Sequence, residues 1–377
     1  MKEWKLMDNA ISPKQRKKMA EFILNGDKFS QGNLVREFEK KWSEWQGCKY
    51  SVFVNSGSSA NFLAFHAINS SRDDVWVSQA TTWATTVSPI MMSRNPLQLC
   101  DIDIPTLSPN IDSLNFVIDR MKPKYLFLAN LLGFSAISDD LLQICDENNI
   151  TILEDCCESH GATFKGQKVG NFGKVSTFSF FYGHHMTTIE GGMCCTNDEE
   201  VYERLLMLRS HGLYRELPNA AKEKYEDKIV DSNFTFMIPG FNMRSTELNA
   251  LLGIMQLENL DKHNQIRCKN LNIFSGGLDP DRFYTNFPTE GNSSFCFPII
   301  MKNETPNKLK EELNKMGVET RPIIAGNLYE HPFMNTIPQF RCDDNAKIVH
   351  NNGFYVGNNH NVTSEDVKWL VDFLNKV

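Results

Sequence analysis

Apolar and polar positions change period several times along this chain, and each change marks an element. After Ser12-Pro13 the run KQRKKMAEFILNG has a capping serine, a proline in its first turn and a closing glycine, which predicts a helix. LVREFEKKWSEWQG repeats that signature up to Gly47. From Tyr50 onward short apolar, β-branched runs alternate with helical patterns. YSVFVNS precedes the predicted helix SANFLAFHAIN, and DVWVSQ precedes ATTWATTVSPIMMS. PLQLCDID, YLFLANLL, ITILEDCC and VSTFSFF follow as strands, with DDLLQICDEN as an amphipathic helix between two of them. Strands apolar at consecutive positions are buried on both faces. Alternated with helices, they predict an α/β domain around a mainly parallel sheet. TELNALLGIMQLENLDKHNQI predicts one helix leading out of that domain. Beyond it SSFCFPIIM, NKLKEELNKMGVETRP and SEDVKWLVDFLNKV predict a small α+β domain. The expected division is a large domain over residues 1–265 and a small C-terminal domain over 266–377.

Composition narrows the function classes. The 377 residues are 41% hydrophobic and 23% charged, values of a folded globular chain. A net charge of −7 argues against a general nucleic-acid binder but leaves room for a local basic pocket. The start, MKEWKLMDNAISPKQRKKMAEF, has no apolar leader region, and no window is apolar enough to span a membrane, so a cytoplasmic protein is expected. The ten cysteines are scattered, with no CxxC and no CxC, and read as free thiols. The doublets Cys156-Cys157 and Cys194-Cys195 suit neither zinc chelation nor a relaxed disulfide, and no metal site is expected.

Several short stretches carry candidate chemistry, each with a plainer reading beside it. NSGSSAN places Gly57, Ser58 and Ser59 at a helix start, where backbone N–H groups and the helix dipole make a phosphate cradle; steric needs alone also explain such a turn. Trp83 follows a strand, placed either to stack on a flat ring or to pack in the core. Glu154-Asp155 closes an apolar strand where α/β sheets bind ligands, though a helix cap or surface charge fits as well. In TFSFFYGHHMTTIEGGM, Ser179 and His184 lie on a strand and its turn; histidine titrates near neutrality and suits proton transfer. His185 reads as packing or solvated. GFNMRSTELNA puts Asn242 and Arg244 ahead of a helix, and Arg215 lies in the polar loop SHGLYREL.

In order and spacing these pieces resemble the DegT/DnrJ/EryC1/StrS sugar aminotransferase family, from the capped N-terminal helix to the ETRP strand near Arg321. The resemblance implies the PLP-dependent transferase fold type I, aspartate aminotransferase-like, and a cofactor site. Asp155 would pair with the pyridinium nitrogen and Trp83 would stack on the ring. Gly57, Ser58, Ser59 and Ser179 would hold the phosphate, with Asn242 reaching it from the neighbouring subunit of a homodimer. Glu158, where the family usually has glutamine, would bond the ring hydroxyl. The family carries a Schiff-base lysine where this chain has His184, and Lys174 lies ten residues back. Within the family that replacement marks nucleotide-sugar 3-dehydratases, which use pyridoxal phosphate and pyridoxamine phosphate non-covalently. The implied substrate is GDP-4-keto-6-deoxy-D-mannose, of the colitose branch of lipopolysaccharide O-antigen synthesis, with CDP- or dTDP-linked 4-keto sugars as alternatives. The implied base is His184, and glutamate restores the amine. Arg215 and Arg244 are candidates for the glutamate carboxylates; Arg321 and Asn327 are candidate sugar or nucleotide contacts. One histidine-bearing branch uses an iron–sulfur cluster; its CxC element is missing and Cys268 stands alone, so no cluster is expected. A non-catalytic regulator is the reading from another class, weakened by the joint retention of Asp155, Trp83 and Ser179.

Overall fold

The structure, a computed structural model, describes residues 3–8, 10–336, 340 and 343–377. Two helices, α1 (Pro13–Asn25) and α2 (Asn33–Gln46), open the chain. Ser12 and Gln15 form a reciprocal capping box at the start of α1, and Gly47 ends α2 in the left-handed region at φ 84°. Then β1 (Tyr50–Val54), α3 (Gly57–Ala67), β2 (Trp76–Gln79), α4 (Ala84–Met92) and β3 (Leu97–Cys100) alternate. They are followed by α5 (Ile111–Met121), β4 (Tyr125–Ala129), α6 (Asp139–Glu147) and β5 (Thr151–Asp155). A small hairpin of β6 (Thr163–Phe164) and β7 (Gln167–Lys168) precedes β8 (Val175–Ser179), β9 (Gly192–Thr196) and α7 (Glu199–Arg209).

The first sheet has seven strands in the order β1-β9-β8-β5-β4-β2-β3. Only β9 runs against the rest, pairing antiparallel with β1 and β8. The other neighbours pair in parallel, and β2, β3, β8 and β9 are buried along their whole length. The consecutive apolar runs thus form a sheet covered on both faces by helices.

A short α8 (Asn219–Lys222) lies in the long segment before α9 (Glu247–Leu257) and α10 (Leu260–Gly277). The single exit helix expected over 246–266 is therefore two helices. The break falls at Glu258-Asn259, where the Asn259 N–H bonds the Gln256 carbonyl in a tight turn; asparagine competes poorly as a helix residue. The rest comprises β10 (Cys296–Ile300), α11 (Asn307–Lys315), β11 (Thr320–Arg321), α12 (Asp344–Asn352), β12 (Gly353–Gly357) and α13 (Ser364–Lys376). Its three strands form an antiparallel sheet, β10-β12-β11. One apolar cluster runs from Val52 and Leu99 of the first sheet to Phe297 and Val356 of the second. A second, rich in aromatic rings, joins Phe38 and Trp42 of α2 to Phe53, Phe178 and Phe180. No helix among the described residues is long and apolar enough to cross a membrane.

Candidate active site

Four element ends converge at the carboxyl edge of the parallel strands, the edge where open α/β sheets take ligands. Ser56 caps α3: its hydroxyl accepts the Ser59 N–H at 3.0 Å. That leaves the N–H groups of Gly57 and Ser58 without an acceptor inside the helix. Gly57 lies so close to the end of β8 that an added Cβ would sit 2.5 Å from the Ser179 Cβ and 3.1 Å from the Cys157 sulfur. The Ser58 hydroxyl reaches Thr85 at 3.4 Å, two residues past Trp83. Trp83 occupies the cap position of α4 and is 55% exposed, so the packed-core reading of this residue is set aside.

Asp155 ends β5, buried, with its carboxylate held from three sides. One oxygen accepts the Asn61 amide at 2.7 Å and the Thr86 hydroxyl at 2.8 Å. The other accepts the Cys157 N–H at 3.1 Å. Asn61 is itself fixed by the Thr177 hydroxyl at 2.6 Å. Helices α3 and α4 and strand β8 therefore set the direction of this one carboxylate. Sequence reasoning passed over Asn61 and Thr86. The available signal was a polar residue on each of two otherwise apolar helix faces.

Glu154 is neither a helix cap nor a surface charge. It is fully buried and accepts the backbone N–H groups of Gly170, Phe172 and Gly173 at 2.7–2.8 Å, pinning the loop that leads into β8. Burial raises its carboxyl, and those N–H donors pull it back. Glu158 accepts the Leu132 N–H at 3.1 Å, and burial pushes its carboxyl up to about 8.

The turn after β8 is closed by the His184 N–H on the Phe181 carbonyl at 3.0 Å. The His184 ring lies 5.5 Å from the ring of Phe295 and 6.3 Å from that of His160, and its Nδ1 is buried without a protein partner. Burial, and then the charge of Arg267, pull this imidazole down to about 4, so it is neutral at pH 7. His185 is packed rather than solvated, with Nε2 at 3.2 Å from the Ser293 carbonyl. Lys174 immediately precedes β8, at the opposite end from the site, and pairs with Asp198 at 3.3 Å.

Arg215, Asn242 and Arg244 come together in an open cavity of about 590 Å³ that also receives Lys28, Arg36 and Thr246. The Asn242 side-chain Oδ1 accepts the Arg244 Nε–H at 3.0 Å, and Arg244 bridges Val54 two residues before the capping Ser56. The basic pocket is thus built onto the turn of the phosphate cradle. Two candidates lie elsewhere. Arg321, on β11, grips one oxygen of Glu319 through Nε and Nη2 at 2.9 and 2.7 Å. Asn327 is fully buried: its carbonyl accepts the Tyr329 N–H and its amide donates to Asp343 at 2.7 Å. That side chain caps a short helical turn and presents no polar atom to a ligand, which corrects the expectation for it. Among the described residues no group of three or more histidine, cysteine or acidic side chains is placed to hold a metal. Cys268 donates to the Asn292 carbonyl at 2.9 Å.

A flat cofactor bearing a phosphate and a ring nitrogen fits these residues: N–H groups and hydroxyls at a helix start, an exposed indole beside them, and a clamped carboxylate at the strand end. The comparisons agree. GDP-4-keto-6-deoxy-D-mannose 3-dehydratase of Yersinia pseudotuberculosis is 35% identical over 372 residues, 94% of each chain. The Escherichia coli enzyme of that name, solved with bound hydrated PLP, superposes with a TM-score of 0.93 at 32% identity, covering 99% of this chain and 100% of its own. A GDP-4-keto-6-deoxymannose 3-dehydratase with a trapped PLP–glutamate geminal diamine gives 0.91 at 32% identity, covering 99% of both chains. The fold is thus the expected fold type I of PLP-dependent transferases. A profile of the DegT/DnrJ/EryC1/StrS aminotransferase family matches residues 11–375, and the chain belongs to that family.

Proposed function

We propose that this chain is a nucleotide-sugar 3-dehydratase that removes the C3 hydroxyl of GDP-4-keto-6-deoxy-D-mannose and uses glutamate as amine donor. The observation that carries the reading is a neutral, partly buried histidine, with an unpartnered ring nitrogen, in the turn that follows Ser179. When bound, pyridoxamine phosphate supplies the amine that condenses with the sugar C4 ketone and the ring that takes up electrons.

The chain's own residues do the rest. Gly57, Ser58, Ser59 and Ser179 bind the phosphate, and Trp83 covers the ring. Asp155, kept in place by Asn61 and Thr86, holds a proton on the ring nitrogen. Glu158 keeps its own proton at pH 7 and so donates to the ring hydroxyl, as the amide of the family's usual glutamine would. His184 takes the proton from the cofactor methylene and returns it to the C3 hydroxyl as that group leaves. Arg215 and Arg244 receive the glutamate carboxylates in the basic cavity, since guanidinium binds carboxylate bidentately. Arg321 is placed as a sugar or nucleotide contact once released from Glu319.

The working form is a homodimer, in which Asn242 of each protomer reaches its partner's phosphate. Phe234, Phe236 and Phe241, each 62–65% exposed in the long segment before α9, supply an apolar face for that contact. The large domain spans residues 1–265 and the small one 266–377, with α10 as the connecting helix. The reading is tested by following 2-oxoglutarate. With cofactor and glutamate present, each equivalent of the 4-keto sugar should release one equivalent of 2-oxoglutarate and one of ammonia. Release of 2-oxoglutarate without ammonia would indicate amino transfer to the sugar and overturn the proposal.

A further inference from the structure

A cluster of small polar side chains lies at the other end of β1 and β9, outside the site described above. Ser51 of β1 stands opposite Cys195 of β9 in the antiparallel register, and its hydroxyl is 3.4 Å from the Cys195 sulfur. The same hydroxyl is 3.5 Å from the Cys48 sulfur and 2.7 Å from the Ser43 hydroxyl. Two thiols from distant parts of the chain therefore meet at one hydroxyl. They differ in environment. Cys48 sits half-buried just past the left-handed Gly47 that ends α2, while Cys195 is wholly buried.

Their chemistry differs in the same sense. Hydrogen bonds to Cys48, from Cys195 first and then from Ser51 and Ser43, bring its thiol down to about 7 against the opposing effect of burial. Burial, with Cys48 alongside, holds Cys195 far above the usual thiol range. A reachable thiolate beside a protonated partner is the arrangement of a redox-responsive pair. The other half-buried cysteines lack it: burial raises both Cys157 and Cys268. Cys342 lies outside the described residues.

We propose that Cys48 and Cys195 form a peroxide-sensitive pair that closes to a disulfide between the α2–β1 turn and strand β9. The Cys48 thiolate attacks one oxygen of hydrogen peroxide, the O–O bond breaks, and the departing hydroxide takes a proton to become water. The Cys195 sulfur then attacks the Cys48 sulfur, the S–O bond breaks, and its hydroxyl leaves as a second water with the Cys195 proton. Two thiols lose two electrons and one peroxide is reduced to two waters. The bridge would tie down the strand pair whose other end carries the phosphate cradle, where an added Cβ on Gly192 would meet the Ser56 carbonyl at 2.3 Å.

The test treats the full chain with equimolar hydrogen peroxide, alkylates it under denaturing conditions and maps its peptides by mass spectrometry. The expected product is a Cys48–Cys195 linked peptide two hydrogens lighter than the reduced pair, abolished by dithiothreitol and absent from Cys48→Ser. Cys195→Ser should instead leave a Cys48 sulfenic acid that dimedone traps. Oxidation of Cys48 to the sulfinic acid while Cys195 stays alkylatable would overturn the proposal. So would oxidation of Cys157 or Cys268 with Cys48 untouched.

Discussion

Replacing Asn61 by alanine tests whether the Asp155 clamp carries energy or merely fills space. Asn61 is 1% exposed and makes two side-chain bonds, donating to Asp155 at 2.7 Å and accepting from Thr177 at 2.6 Å. A hydrogen bond to a charged group contributes about 1.5–3 kcal/mol and a neutral one about 0.5–1.5 kcal/mol. Losing both leaves the buried Thr177 hydroxyl with only the long 3.4 Å bond to the Glu154 carbonyl, and a buried carboxylate with one donor fewer. The expected cost is about 2–4 kcal/mol, within the ~5–15 kcal/mol stability of a typical domain, so the variant should still fold. Urea unfolding with the slope unchanged reads the stability term. Cofactor affinity, followed by fluorescence titration, reads the second consequence. An Asp155 free to turn should hold the ring nitrogen less well, weakening binding about tenfold or more. Thr86→Val removes the bond to Asp155 and the one accepted from the Thr82 hydroxyl while keeping the shape, and its cofactor affinity should lie between those of the two proteins. An Asn61→Ala protein within about 0.5 kcal/mol of the parent, with unchanged cofactor affinity, would refute the clamp.

Three further outcomes follow from the geometry. Gly57→Ala puts a methyl 2.5 Å from the Ser179 side chain; it should cost about 1–3 kcal/mol in urea unfolding and weaken phosphate-bearing cofactors more than phosphate-free pyridoxal. His184→Lys should bind the cofactor covalently, seen as a mass adduct after borohydride reduction, and lose dehydration; dehydration at the parent rate would remove His184 from its role as base. The pH dependence has a definite sign. His184 is held at about 4 when folded, so between pH 6.5 and 4 the unfolded chain binds a proton that the folded chain does not, and stability falls as pH drops through that window. The effect should be roughly 1–3 kcal/mol, reduced in His184→Asn. The stacked rings of His263 and His360, 3.8 Å apart and each lowered to about 4, act in the same direction. Glu158 acts oppositely, its contribution being complete below 4.5 and lost as pH rises through about 8. Thermal midpoints measured from pH 4.5 to 8 should therefore pass through a maximum.

The legible parts of this fold were those where local chemistry and tertiary context agree. Ser12-Pro13 with Gln15, and Gly47, mark helix ends by backbone requirements that no packing alters. The strands of the central sheet read as unbroken apolar runs because helices cover both faces. The exit helix was misread because apolar spacing continues across Glu258-Asn259, where one turn suffices to change direction. Strand β12, within GFYVG, was passed over because five residues between a helix and a loop carry too little pattern. At the site, the candidates that gather at the carboxyl edge of the sheet were legible from their places at strand ends and helix starts. Those acting from behind were less so: Asn61 and Thr86 stand inside apolar helices and were passed over, and Glu154 was noticed but its role was not, since the backbone N–H groups it binds have no signature in sequence. Asn327 shows the converse error, a polar residue in a plausible loop whose bonds all turn inward.

The central claim is tested most directly by the mass of the product. GDP-4-keto-6-deoxy-D-mannose, incubated with the chain, pyridoxal phosphate and glutamate, should yield a nucleotide sugar lighter by one oxygen atom. His184→Asn should yield none at a comparable rate. An amino sugar formed from the parent protein would contradict the account, because it would mean that this histidine supports ordinary transamination.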